Sequence, residues 1–72
     1  MDDRIQAIGN AFYRSSSAVL EGYTEHNGII TAYFETTTRT IIDHEIFSFP
    51  ATLLESGLSD AEIAKQCISV FI

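Results

Sequence analysis

Val19 to Glu35 reads VLEGYTEHNGIITAYFE. Two runs rich in β-branched and aromatic residues flank His26-Asn27-Gly28, and Asn-Gly between such runs is the strongest short-range signal of a β-hairpin. A three-residue loop with Gly28 in the left-handed conformation pairs Thr24 with Ile30, Gly22 with Ala32 and Leu20 with Phe34. One face of the hairpin then carries Ala18, Leu20, Gly22, Thr24, Ile30, Ala32 and Phe34. The other carries Val19, Glu21, Tyr23, Glu25, Ile29, Thr31, Tyr33 and Glu35. A two-residue Asn-Gly turn shifts the register by one and mixes polar with apolar residues on both faces. The cleaner segregation therefore predicts the three-residue loop.

Upstream, Ile5, Ile8 and Phe12 recur at helical spacing, with Ala11 beside them, which predicts an amphipathic helix from Asp2 to about Arg14. Asp2 and Asp3 suit the positive end of its dipole. Gly9 weakens the helix but permits close packing on a sheet. Ser15-Ser16-Ser17 ends it.

Downstream, Thr36-Thr37-Thr38 closes the second strand and turns the chain into a third, from about Arg39 to Phe47. Its even-numbered residues, Ile42, His44 and Ile46, carry no carboxylate and are assigned to the inner face. Ile41, Asp43, Glu45 and Phe47 are assigned to the outer one. Phe49-Pro50 stops the strand, and Ala51 to Ser56 forms a short helical turn closed by Gly57. Ser59 and Glu62 make a capping box, with Leu58 and Ile63 placed as a hydrophobic staple, so the last helix starts at Asp60. Its buried stripe is Ala64, Cys67, Ile68 and Phe71, and the apolar end Val70-Phe71-Ile72 must dock somewhere. LSDAEIAKQ is similar to the opening helix of a helix-turn-helix, but CISVFI follows where a recognition helix would stand. The likeness reflects shared N-capping physics.

The prediction is a single α+β domain over residues 1–72, ordered α-β-β-β-α. It has an antiparallel three-stranded sheet with the N- and C-terminal helices packed on one face.

With 72 residues, 46% of them apolar, and a net charge of −6, the chain is short, rich in core material and acidic. A domain this small buries only about 60% of its unfolded surface. Self-association as a homodimer is one way to bury the excess. Arg4, Arg14, Arg39 and Lys65 are too few and too scattered for the basic footprint of direct nucleic-acid or anionic-membrane binding. A single cysteine, Cys67, suits a reducing compartment, and no secretory or membrane-spanning segment is evident, so a cytoplasmic protein of bacterial or phage type is expected.

Phosphate-binding glycine motifs, H-E-x-x-H, paired C-x-x-C and the EF-hand pattern are absent, which predicts no cofactor. In Asp43-His44-Glu45 the histidine points away from its two neighbours on a strand, so the three cannot share a metal. His44, on the inner face, is expected to be half buried with a backbone partner. Cys67 lacks the electropositive setting of a catalytic thiol. Ser15 to Ser17, His26 and Asp43 supply the residue types of a Ser-His-Asp triad but no argument for its geometry. No catalytic or metal set is assigned, and the protein is expected not to be an enzyme.

The expected function lies on the outer sheet face, where Glu21, Glu25, Glu35, Asp43 and Glu45 interleave with Tyr23 and Tyr33. Tyrosine anchors with carboxylates for steering fit a basic protein partner. The expectation is a small regulator or inhibitor that occludes such a surface, in its sharpest form a nucleic-acid mimic of the phage anti-defence type. The alternative is a structural homo-oligomer or accessory subunit assembled through a sheet edge or the C-terminal helix.

Overall fold

A computed structural model describes residues 2–15 and 17–70. The element order is α1 (Asp2–Tyr13), β1 (Val19–His26), β2 (Ile29–Thr38), β3 (Ile41–Pro50), a 3-10 turn (Ala51–Glu55), α2 (Asp60–Gln66) and β4 (Ile68–Ser69). The strands form one antiparallel sheet in the order β1-β2-β3-β4. The α+β class holds, with a fourth strand where a longer C-terminal helix was expected.

That strand is a tertiary override of a helical pattern. α2 starts where its capping box predicts, with the Glu62 N–H donating to Ser59 Oγ at 3.2 Å. It stops at Gln66, and Cys67 is already extended (φ −71°, ψ 145°). Ile68 and Ser69 then pair with Ser48 and Phe47 on the free edge of β3. An unpaired strand edge offers backbone partners that another turn of helix cannot use. Ile68 thereby leaves the predicted helix stripe for an exposed strand position, while Phe71 and Ile72 lie outside the described residues, as does Ser16.

The first hairpin differs from its predicted register in an instructive way. Its loop is two residues, not three: His26 faces Ile29, with Asn27 (φ 51°) and Gly28 (φ 77°) both left-handed, as a tight hairpin turn requires. Glu25 therefore faces Ile30, Thr24 faces Thr31 and Tyr23 faces Ala32. A β-bulge between Leu20 and Gly22 then absorbs one residue, and Leu20 meets Phe34 as predicted. The extra residue exists, but it sits in the strand at Glu21 instead of in the loop.

The second hairpin overturns the predicted faces of β3. The β2 strand runs through Thr38, and Arg39-Thr40 makes the turn, so Thr38 faces Ile41, Ala32 faces Phe47 and Ile30 faces Phe49. Residues directly opposite each other share a face. The odd-numbered Phe47 and Phe49 are therefore the buried ones, and Ile42, His44 and Ile46 point outward. Two phenylalanines outweigh two isoleucines in apolar area, while Asp43 stays exposed near the hairpin tip and Glu45 is half-buried opposite Phe34.

Between sheet and helices, Ile5 and Ile8 of α1 and Ile63 and Ala64 of α2 close over Ile30, Ala32, Phe34, Phe47 and Phe49. Phe34 and Phe47 stack with ring centroids 5.3 Å apart, and Tyr13 tilts against both. Gly9 lies over Phe34, and a Cβ there would overlap the ring, so this glycine sets the helix–sheet distance. The Arg4 guanidinium donates to the carbonyls of Leu54 (2.8 Å) and Leu58 (3.0 Å) and to Asp60 Oδ1 (3.2 Å), tying α1 to the start of α2. Gln6 does the same for β1, its Nε2 donating to the Ala18 carbonyl (2.7 Å) while its Oε1 accepts from the Leu20 N–H (2.8 Å). That side chain occupies part of the backbone edge a further strand would use.

Candidate functional site

Both helices lie on one side of the sheet, and among the described residues nothing covers the other. This outer face carries Val19, Ile29, Tyr33, Ile42, Ile46 and Ile68, with Thr24, Thr31 and Ser48 between them. Tyr33 and Ile46 face each other across β2 and β3 near its centre. Val19, Ile42 and Ile68 are each more than half exposed, at 56%, 59% and 69%.

The register decides which predicted site residues belong here. Glu21, Tyr33 and Glu35 do. Tyr23, Glu25, Asp43 and Glu45 do not: they lie opposite Ala32, Ile30, Thr36 and Phe34, on the helix side of the sheet. Tyr23 packs against the core, while Glu25 and Asp43 stay exposed at opposite ends of the sheet. The single acidic face is thus divided in two. Of the ten carboxylates in the sequence, only Glu21 and Glu35 stand on the open face, and the other eight lie on the helices, the 3-10 turn or the inner side.

Those two carboxylates meet His44, which the sequence placed on the buried face. Glu35 is directly opposite His44 on β3, and the bulge brings Glu21 of β1 alongside. His44 Nδ1 lies 2.9 Å from Glu21 Oε1. One ligand atom from each of Glu21, Glu35 and His44 falls within 4.8 Å of the others. The hydrogen bond to Glu21, then its charge, raise the His44 pKa above the ordinary 6.5, with Glu35 and Asp43 adding to the effect. The signal that could have found this trio was the Asp43-His44-Glu45 triplet, read for its histidine instead of its acids.

Elsewhere the chemistry is quieter. Cys67 donates its thiol to the Ile63 carbonyl at 3.4 Å, and burial pushes its pKa up to about 11, so it stays protonated at neutral pH. His26 and Asp43 lie at opposite ends of the sheet, about 23 Å apart by strand rise, so no Ser-His-Asp set assembles with them. A groove of about 330 Å³ between α1 and α2 is lined by Ala11, Phe12, Arg14, Ala61, Ala64 and Lys65, at the small end of ligand clefts. No described helix is long and apolar enough to cross a membrane.

Compared with known protein families, curated sequences and solved structures, the chain finds no match.

Proposed function

We propose that this protein is a small non-catalytic protein-binding module and that the open sheet face is its contact surface. The observation that carries the reading is the combination of apolar exposure with scarce charge. In a chain of net charge −6, this face holds two carboxylates and at least five exposed large apolar side chains. Interface centres are depleted of charge and enriched in tyrosine and other apolar groups.

Glu21 and Glu35 on this face, within a chain of net charge −6, give the partner its chemistry: a protein whose contact patch is apolar and carries basic groups. Steering by this negative charge raises the on-rate, and the apolar surface holds the complex. Occlusion of that patch is the regulatory or inhibitory act. A nucleic-acid mimic needs its carboxylates in series on one face, and their division between two faces takes away that version's support.

The test compares capture from a source lysate by the wild type, by Tyr33→Lys/Ile42→Lys and by a control on the far side, Glu55→Lys. A partner kept by the wild type and the control but lost from the face variant supports the reading. Equal capture by all three overturns it.

A second reading is a homodimer through the same face. It is favoured over edge pairing by Gln6, which occupies the β1 edge at Ala18 and Leu20, and by α2, whose Ile63 and Ala64 are already buried in the core. Light scattering near 16 kDa, twice the 8.0 kDa chain mass, would identify it.

A further inference from the structure

We propose that Glu21, Glu35 and His44 form a binding site for a divalent first-row transition-metal ion, with Zn²⁺ as the ion it suits best. This is independent of the docking reading above.

The three donors come one from each of three adjacent strands and fall in one row across the sheet. Strands position such a row without loop flexibility, since Glu35 and His44 are direct partners in the ladder. Glu21 joins them because of the bulge. The register fixed by the turn, continued without a bulge, sets Glu21 opposite Phe34 and Leu20 opposite Glu35, leaving Glu21 on the core side. The extra residue exchanges them, setting Leu20 opposite Phe34 at the edge of the core and delivering Glu21 to the outer face. Bulges commonly re-aim a side chain in this way.

The donor set selects the ion class. One imidazole nitrogen with two carboxylate oxygens supplies three donors of the kinds zinc takes, and leaves a fourth position for water. Ca²⁺ and Mg²⁺ prefer all-oxygen shells of six or more ligands, and a histidine does not serve them. Zinc–ligand bonds of about 2.0–2.2 Å put tetrahedral ligand atoms about 3.3 Å apart. The pair His44 Nδ1 and Glu21 Oε1, at 2.9 Å, is already near that value. The widest separation in the trio, bounded by 4.8 Å, closes by rotation of a partly exposed glutamate.

The charge balance points the same way. The His44–Glu21 pair satisfies one carboxylate only. Glu35 is partly buried and makes no side-chain hydrogen bond to a described residue. Two carboxylates with one imidazole leave this row negative even when the histidine is protonated, and a divalent cation neutralises it while using all three donors.

The test is calorimetric titration of the full chain with ZnCl₂ near neutral pH, followed by thermal melts with and without zinc. One saturable site is expected, with a higher melting temperature in zinc. Glu35→Gln and His44→Ala should each weaken binding by at least about tenfold, a loss that even outer-shell metal partners can cause. His26→Ala and Cys67→Ser, the other nitrogen and sulfur donors, should leave affinity unchanged, and excess Mg²⁺ should not displace the zinc. As a readout that needs no variant to fold, zinc should shift amide NMR signals around Glu21, Glu35 and His44 of the wild type. Absence of saturable binding at millimolar zinc overturns the proposal. So does affinity indifferent to Glu35→Gln and His44→Ala, loss of the site with His26→Ala or Cys67→Ser, or displacement by Mg²⁺.

Discussion

The two faces of the sheet use nearly the same stock of side chains for opposite ends. The inner face sets Ile30, Ala32, Phe34, Phe47 and Phe49 against two helices and buries each to within 1% of full burial. The outer face sets Ile29, Tyr33, Ile42 and Val19 on the same strands and leaves them exposed, with Ile46 half-buried among them. Mean apolarity does not separate the two sides. Phenylalanine does, three on the inner face and none on the outer, because it buries more area than isoleucine or valine and has no hydroxyl to satisfy. The carboxylates do not mark the exposed side, since Asp43 and Glu45 share the inner side with Phe47 and Phe49, Asp43 exposed near the hairpin tip and Glu45 half-buried.

The difference is open to direct attack, and the largest effect belongs to the inner face. Gly9→Ala drives a methyl into the Phe34 ring. It should cost about 1–3 kcal/mol of overpacking, only partly offset by about 1 kcal/mol of helix propensity, and urea unfolding will show the lowered midpoint. Tyr13→Phe works in the other direction. The Tyr13 hydroxyl is buried with no partner among the described residues, and desolvation, then Glu45 and Cys67, push its pKa well above the usual tyrosine range. Removing it should raise stability by about 1 kcal/mol while keeping the ring contacts, read by the same unfolding curve.

On the outer face the same kind of change should do little to the fold. Tyr33→Lys is expected to alter stability by no more than about 0.5 kcal/mol, as at other exposed sites, yet to abolish docking. A large loss of stability in that variant would mean the outer face supports the fold. The smallest effect is electrostatic. His44 has its folded pKa raised above the 6.5 of the unfolded chain. Its tie to Glu21 therefore adds stability in full below pH 6.5 and loses it as pH rises through the folded value. The pair is solvent-screened, so the change is slight. With a chelator present, melts of the wild type and His44→Gln should differ in acid and converge in mild alkali.

Much of the fold was legible because its signals are local. Asn27-Gly28 marks a turn, Ser59 with Glu62 caps α2, Gly57 (φ 80°) closes the turn before it, and the Ile5-Ile8-Phe12 stripe is the buried side of α1. Gly9 sits close on the sheet for the reason its lack of a side chain suggests. The candidate site was legible only in part. Glu21, Tyr33 and Glu35 were placed on the outer face, but His44 was placed on the wrong side, because segregating charge from apolar residues was the only guide to the parity of β3.

The sequence alone therefore determined α1, the first hairpin and the start of α2, since capping hydroxyls, left-handed turn residues and apolar periodicity act within a few residues. Only the tertiary structure decided which way the strands face. The parity of β3 follows from the two-residue turn at Arg39-Thr40 together with the area gained by burying Phe47 and Phe49. The bulge at Glu21 follows from bringing Leu20 under Phe34 at one end of a hairpin whose turn dictates the opposite parity at the other. Likewise, the last residues before Val70 became a strand because the β3 edge had backbone groups to satisfy. A side-chain period of two makes each of these choices all or nothing. One residue's shift moves a whole row between core and water, and here it assembled Glu21, Glu35 and His44 on the open face.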